Sequence, residues 1–579
     1  MKEESGKSIV KGIAIGIPYI IHQNNFNMEL CRKIDKNDTK IELNKLSIAI
    51  DEVRKEIKEI RDNLKKKFKN NEIEILTVHL MLLEDPMYLK EIEKGITRNF
   101  IGVECSIKKA TERFIKLFEK IEDPIYKQRA LDIRDVSERL INHLVDRNSF
   151  TDNLKDKILI IDDLMPSELL KMHENNNLPK GIIMEYAGET SHVAILVRSL
   201  DIPTIMGRKE IFNVDWGEEI IIDTTEEKAK VIINPSKKIL VDYKEKNKNF
   251  NTLRKKIEEN TTLPTITKDG VEVFLHINID GNIEEDMYVN KNPNGVGLLR
   301  TEMLYMNSSN FPSETDEFEF YKKISKSVNG KSVIIRTLDI GADKQLPYYS
   351  ISKEENPSLG IRGLRFSLQN LNIFKSQLRA ILKASADNHN IKIMFPMVTT
   401  LVEIKEAKKL ISLVKKELKE ERINFNDDIE IGIMVEVPSI IFIADTLSKE
   451  VDFFSVGTND LTQYILATDR FNNSIENLYD QYNPAVIRAI NTLLENLKGK
   501  EKKISVCGEM AGEEIGAIIL LALGINDLSV SPAVLLEIRN LIRKIEISKL
   551  KKIKKTILLA QDSEEIKKIV KKFIEKLGE

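Results

Sequence analysis

His192 stands in Gly188-Glu-Thr-Ser-His-Val-Ala-Ile, between a short apolar run at 181–184 and a helical pattern at 193–200. Thr190 or Ser191 would cap that helix and place His192 in its first turn. The open N–H groups of a helix start favour a nearby anion, so an imidazole there is suited to holding a phosphoryl group. Taken alone, a single histidine is more often a structural residue making one hydrogen bond.

A second constellation gives that histidine a partner chemistry. Glu436 closes an apolar strand in Met434-Val-Glu-Val-Pro, and Asp460 closes the next in Ser455-Val-Gly-Thr-Asn-Asp-Leu. Adjacent strands would bring both carboxylates to one ion, and two carboxylates with substrate and water oxygens are what Mg²⁺ prefers. Arg300, Arg336 and Arg470 fall just beyond strands, with Arg362 nearby in Leu359-Gly-Ile-Arg-Gly. Guanidinium forks grip phosphate and carboxylate bidentately, so the group implies a small, strongly anionic ligand. For any one of these arginines a surface salt bridge would suffice; for all together it would not. Cys507 ends another strand before Gly508-Glu-Met-Ala-Gly. Its thiol could move a proton at carbon, although most lone cysteines are buried small hydrophobes.

The elements that must position these residues follow from the period of the apolar pattern. Leu43, Leu46, Ile50, Val53, Ile57, Ile60 and Leu64 step by three and four, which marks a helix packing one stripe on its neighbours. With further helical patterns at 73–83, 105–121 and 130–144, residues 22–149 read as a helical subdomain. Short apolar runs at 157–162, 181–184, 219–223 and 230–234 read as buried strands of an α/β domain over 150–235. An early strand near 13–20 would join it, making the helices an insertion, and 236–262 reads as a linker helix. Beyond it, eight candidate strands at 271–278, 295–299, 332–338, 392–397, 430–436, 451–456, 503–507 and 527–530 suggest a (β/α)₈ TIM-like barrel over 263–579. Polar residues recur where these strands end: Arg300 and Glu302, Arg336 and Asp339, Glu436, Asn459 and Asp460, Cys507 and Glu509. That rim is where such barrels carry their active sites.

The whole composition sets limits. A chain of 579 residues, 42% hydrophobic and 31% charged, is that of an ordinary multidomain globular protein. With 89 basic against 91 acidic residues there is no overall pull toward nucleic acid or membrane. Cys31, Cys105 and Cys507 stand far apart with no CxxC pair, which reads as isolated thiols in a reducing compartment and no disulfide framework. No signal peptide or membrane span is expected, so the expected location is the cytoplasm.

At this point the chain resembles enzyme I of the bacterial phosphoenolpyruvate:sugar phosphotransferase system, the phosphoenolpyruvate–protein phosphotransferases, along nearly its whole length. The resemblance is carried by Gly295-Val-Gly-Leu-Leu-Arg-Thr-Glu-Met-Leu-Tyr-Met and by Val451-Asp-Phe-Phe-Ser-Val-Gly-Thr-Asn-Asp-Leu-Thr-Gln-Tyr, running on to Asp469-Arg470. Ile335-Arg-Thr-Leu-Asp-Ile-Gly, Leu80-Met-Leu-Leu-Glu-Asp-Pro and Asp132-Ile-Arg-Asp-Val-Ser add to it. The resemblance implies that His192 is the phosphorylated residue and Cys507 the proton donor to enolpyruvate C3. It implies phosphoenolpyruvate contacts from Arg300, Arg336, Asn459, Asp460 and Arg470, with Arg362 added from the arginine cluster. It makes Glu436 and Asp460 the Mg²⁺ ligands and Thr190 a support of the phosphohistidine. Residues 22–149 would bind the carrier protein HPr, and the barrel would form a homodimer.

Several positions depart from the family pattern. Glu189 replaces an arginine beside the nucleophile, Met165 replaces a threonine, and Val10-Lys-Gly stands for Ser-Pro-Gly. Ala342 and Ile361 replace glycine and tryptophan. Met165 and Glu189 motivate a rival reading, a catalytically weakened regulatory paralogue. A dikinase or synthase of the same superfamily is a second rival, disfavoured because no Gly-x-x-x-x-Gly-Lys-Ser/Thr loop is present and residues 1–150 look helical and too short for an ATP-binding module. Phosphoryl transfer would require His192 to visit the barrel rim and then a second acceptor, with 236–262 among the hinges.

Overall fold

The run Lys157-Ile-Leu-Ile-Ile shows no apolar–polar alternation because both faces of its strand are covered. A computed structural model of the chain describes residues 2–21, 31–64, 70–119, 124–144, 153–162, 164–185, 192–206, 215–225, 228–259, 263–281, 291–306, 308, 310–341, 346, 348, 349, 354–470, 472 and 474–577. The chain divides into two compact units, Met1–Arg254 and Lys255–Glu579.

In the first unit, β1 (Lys2–Val10), β2 (Ile13–Ile21), β3 (Lys157–Ile161), β4 (Gly181–Met184), β5 (Thr204–Met206), β6 (Ile220–Asp223) and β7 (Lys228–Ile233) close into a barrel of order β1-β5-β4-β3-β2-β6-β7. Ile158 and Ile160 of β3 share a core with Ile183, Ile205, Trp216 and Ile222, whereas Leu159 and Ile161 join the core formed with the helices. Sequence reasoning missed β1 and β5. Lys2-Glu-Glu-Ser-Gly-Lys has no apolar run to reveal a strand; antiparallel pairing with β7 and β5 makes it one.

Helices α1 (Thr39–Leu64), α2 (Asn70–Leu83), α3 (Pro86–Arg98), α4 (Val103–Glu119) and α5 (Pro124–Leu144) lie between β2 and β3 in the chain, and α6 (Pro166–Glu174) and α7 (His192–Ser199) between later strands. The stripe Leu46, Ile50, Val53 and Ile57 is buried in one core with Tyr88, Ile92, Val136 and Leu140. Helix α8 (Lys237–Glu259) follows β7.

One expectation is overturned here. Cys31 and Cys105 form a disulfide across 74 residues of sequence, so these two are not isolated thiols, and they no longer argue for a reducing compartment. What brings them together is the packing of the segment before α1 across the start of α4. Ile34 N–H donates to Phe100 O at 2.9 Å and Gly102 N–H to Arg32 O at 3.0 Å. The buried Glu42 carboxylate then accepts the Val103 N–H at 2.9 Å, capping α4. Cys507 remains a free, buried thiol.

In the second unit, β8 (Phe274–Ile279), β9 (Gly295–Leu299), β10 (Ser332–Arg336), β11 (Ile391–Phe395), β12 (Ile431–Val435), β13 (Phe453–Val456), β14 (Lys503–Val506) and β15 (Asp527–Val530) form a closed eight-stranded barrel in which every pairing is parallel. This is the expected TIM-like fold. The first strand starts at Phe274 rather than 271, because Thr267 and Val271 close a turn through Gly270 (φ 81°) just before it. Leu298, Met394, Met434, Phe453 and Cys507 fill the interior. Gly432 makes room for them: a Cβ there would stand 2.3 Å from the Phe453 ring. No described helix is long and apolar enough to cross a membrane.

Thiol titration checks the cysteine assignment. The native, unreduced chain should show no reactive thiol, one after denaturation, and three after denaturation with reductant. Cys105→Ser should lower stability to urea by about 2–4 kcal/mol.

Candidate active site at the barrel rim

Parallel strands all deliver their carboxyl ends to one rim, so residues that end successive strands meet there whatever their spacing in sequence. Arg336 is the last residue of β10. Its Nη1 lies 3.2 Å from Asp339 Oδ2, and its Nη2 bonds to Glu302. Arg362 precedes the helix Leu364–Gln369. It donates from Nε and Nη2 to Asp339 at 3.1 and 3.2 Å, and from Nη1 and Nη2 to Asp460 at 2.9 and 3.1 Å. Asp339 therefore joins both guanidiniums, and all of these groups are buried. Burial disfavours each cation, but the facing carboxylates outweigh it and hold both arginines well above their usual range.

Glu436 follows β12, and β12 pairs with β13 in register, Val435 beside Val456. The strand pairing thus sets Glu436 beside the loop and helix Thr458–Leu466 that carry Asn459 and Asp460. Glu436 is 0% exposed; its Oε1 accepts the Met397 N–H at 2.5 Å, while Oε2 has no hydrogen-bond partner. Burial, then the charges of Asp460 and Asp339, push its carboxyl up to about 8. For Asp460 burial acts in the same direction, but Arg362 and Arg470 outweigh it and hold the carboxyl below its usual value.

Asn459 Oδ1 accepts the Glu509 N–H at 3.0 Å, tying the loop after β13 to the one after β14. Arg470 N–H donates to Gln463 Oε1 at 3.3 Å. Arg300, just past β9, is half-buried and paired with the exposed Asp280 at 3.0 Å. Cys507 follows β14 with its Sγ 3.7 Å from Val456 O, and burial pushes its thiol up despite the opposing Ser455 and Arg336. Asn278 at the end of β8 donates to Cys507 O at 2.9 Å.

The structure thus brings Arg336, Arg362, Glu436, Asp460 and Cys507 into one electrostatic group, with Arg470 acting on Asp460 and Arg300 on Cys507. His192 belongs to the other unit, where it opens α7. Thr190, Ser191, Glu189 and Ala342 lie outside the described residues. Met165 sits at the N-cap of α6 with no side-chain cap, and Glu168 reaches back to its N–H at 3.1 Å. Sequence reasoning noted Glu302 and Asp339 at the rim but gave them no role, and it missed Met397 and Asn278. A polar residue closing an apolar strand was the signal for Asn278; Met397 acts through its backbone and leaves none.

Four buried carboxylates, Glu302, Asp339, Glu436 and Asp460, face two buried guanidiniums, Arg336 and Arg362, leaving two negative charges in excess when all are ionised. With an unpartnered buried oxygen on Glu436, this donor set fits a hard divalent cation. Among the described residues no group of three or more His, Cys, Asp or Glu could hold a metal ion, so water and ligand oxygens would complete the shell.

Three segments match known families, described as PEP-utilising enzyme, N-terminal (residues 5–129), mobile domain (154–227) and PEP-binding domain (254–547). The chain is 37% identical to the phosphoenolpyruvate-protein phosphotransferase of Bacillus subtilis over 99% of both chains. It is 36% identical to those of Listeria monocytogenes and Staphylococcus carnosus, again over 99% of each chain.

Asp339→Asn would leave two buried arginines short of a counter-charge, and should cost about 3–5 kcal/mol in urea unfolding. Asp280→Asn, removing only the exposed partner of Arg300, should leave the midpoint unchanged.

Proposed function

The chain belongs to the phosphoenolpyruvate–protein phosphotransferase family, and on that premise we propose that it takes a phosphoryl group from phosphoenolpyruvate onto His192 and passes it to a histidine of the carrier protein HPr. This is the entry reaction of phosphotransferase-system sugar uptake. The observation that carries the reading is the rim itself: interlocked arginines and carboxylates around Glu436, whose one oxygen is buried without a partner.

Arg300, Arg336, Asn459 and Arg470 bind and orient the phosphate and carboxylate of the donor. Arg362 acts mainly through Asp460, which it holds ionised. Glu436 and Asp460 would hold Mg²⁺, which when bound would offset charge on the phosphoryl oxygens. A ring nitrogen of His192 attacks phosphorus in line, the bond to the enol oxygen breaks, and the enolate of pyruvate leaves. Cys507, kept protonated by burial, delivers its proton to C3. In the other unit, the start of α7 supplies the open N–H groups that favour a phosphorylated His192. We assign 1–21 with 150–235 to the phosphohistidine domain, 22–149 to HPr binding, 236–262 to the linker and 263–579 to the donor-binding, dimer-forming barrel. A cytoplasmic location belongs to the same proposal.

Met165 favours a second reading. It puts a thioether at an N-cap where a hydroxyl would bond the helix start, and a slowed, partner-binding paralogue would follow. Steady pyruvate release in the presence of HPr would rule that reading out.

His192→Ala should fold normally and take up no label from ³²P-phosphoenolpyruvate; undiminished labelling removes His192 from the mechanism. Glu436→Gln should lower the Mg²⁺-dependent rate by about 10²–10³-fold while phospho-HPr still labels His192. Wild-type turnover in that variant discards the metal assignment.

A further inference from the structure

We propose that Met397, through its left-handed backbone, is a positioning residue that aims Glu436 at the divalent cation. Its φ is 53°. Most described non-glycine residues of positive φ, such as Asn176, Asn329, Arg422 and Ala467, follow helices, where a left-handed residue ends the last turn cheaply. Met397 instead follows β11, through Pro396. A non-glycine residue there costs on the order of 1 kcal/mol and persists only where its surroundings impose it.

The left-handed turn presents the Met397 N–H to Glu436 Oε1 at 2.5 Å. That bond is the one that orients the carboxylate and leaves Oε2 unpartnered. The turn is held in place from a second loop. Gly363, next to Arg362 in the chain, is also left-handed (φ 58°) and is tied by its N–H to Ile340 O at 3.1 Å. A Cβ on Gly363 would lie 2.9 Å from Met397 Cβ and 3.2 Å from Asp339 Oδ1. Two left-handed residues thus stand against each other. One carries the chain away from Arg362, which grips Asp460, and the other holds Glu436. On this proposal the Met397 N–H, not its side chain, holds Glu436, while the Met397 Cβ and Cγ pack where Gly363 carries no side chain.

This role rests on the proposal that Glu436 and Asp460 hold the ion. The test is Mn²⁺ titration of the full chain followed by electron paramagnetic resonance, with melting in EDTA as a check on folding. Met397→Val, whose branched side chain resists positive φ, should weaken Mn²⁺ binding at least tenfold. Gly363→Ala, which crowds the same turn, should do likewise. Met397→Asn and Met397→Gly, which accept positive φ and keep the N–H, should bind Mn²⁺ within about twofold of wild type; with phosphoenolpyruvate, Met397→Val should raise the Mg²⁺ requirement more than it lowers kcat at saturating metal. Normal Mn²⁺ affinity in Met397→Val overturns the proposal, and so does a tenfold loss in the Asn or Gly variant, which would assign the effect to the side chain. If Met397→Val does not fold, the Asn and Gly pair decides. Glu436→Gln separates the two levels: unaltered Mn²⁺ binding in that variant removes the metal site itself, whereas its loss beside a normal Met397→Val removes only this role.

Discussion

Two guanidinium groups held out of water organise the mouth of the barrel. A buried cation is tolerable only when a carboxylate stands close with good geometry. Arg336 and Arg362 meet that demand by sharing Asp339, with Glu302 on one side and Asp460 on the other. Neither arginine can turn without stranding a charge, so the rim is stiff in the sense that matters for binding. The network also carries more negative than positive charge, and this excess falls where Glu436 and Asp460 approach each other.

Beneath that charge the barrel packs apolar side chains. Leu298, Met394, Met434 and Phe453 fill the interior, and Gly432 leaves the space that the Phe453 ring occupies. Around the rim, neutral hydrogen bonds keep the strand ends in place. Gln377 accepts the Leu338 N–H at 3.0 Å, and Thr301 donates to Arg336 O at 3.1 Å. The thiol of Cys507 is part of both layers, packed with the apolar core and acted on by Arg336. Burial favours the neutral thiol, and Arg336 acts against it.

The first unit solves a different problem. Its sheet is closed, with one face lined by Ile158, Ile160 and Trp216 and the other packed on helices. A helix start opening at His192 is fixed by that packing, since Val193, Ala194, Leu196 and Val197 are buried in the same core as α1 and α5. The buried arginine–carboxylate network lies in one unit and His192 in the other.

Local pattern in the sequence determined much of this protein. The 3.6-residue stripe of α1, the two-sided apolar runs of β3 and β12, and the polar residues closing barrel strands are all properties of short segments. They were enough to place the helices, the parallel barrel and its rim, with Arg336, Arg362, Glu436 and Asp460 at the rim. Tertiary structure decided what depends on contact between distant segments. Lys2–Val10 is a strand only because β5 and β7 pair with it. Cys31 and Cys105 meet because the segment before α1 crosses the start of α4. Asp339 joins two arginines, and Met397 turns left-handed to hold Glu436, because strands far apart in sequence end at one rim. Residue type and spacing encode which atoms a segment offers; which of them face each other is settled only when the chain closes.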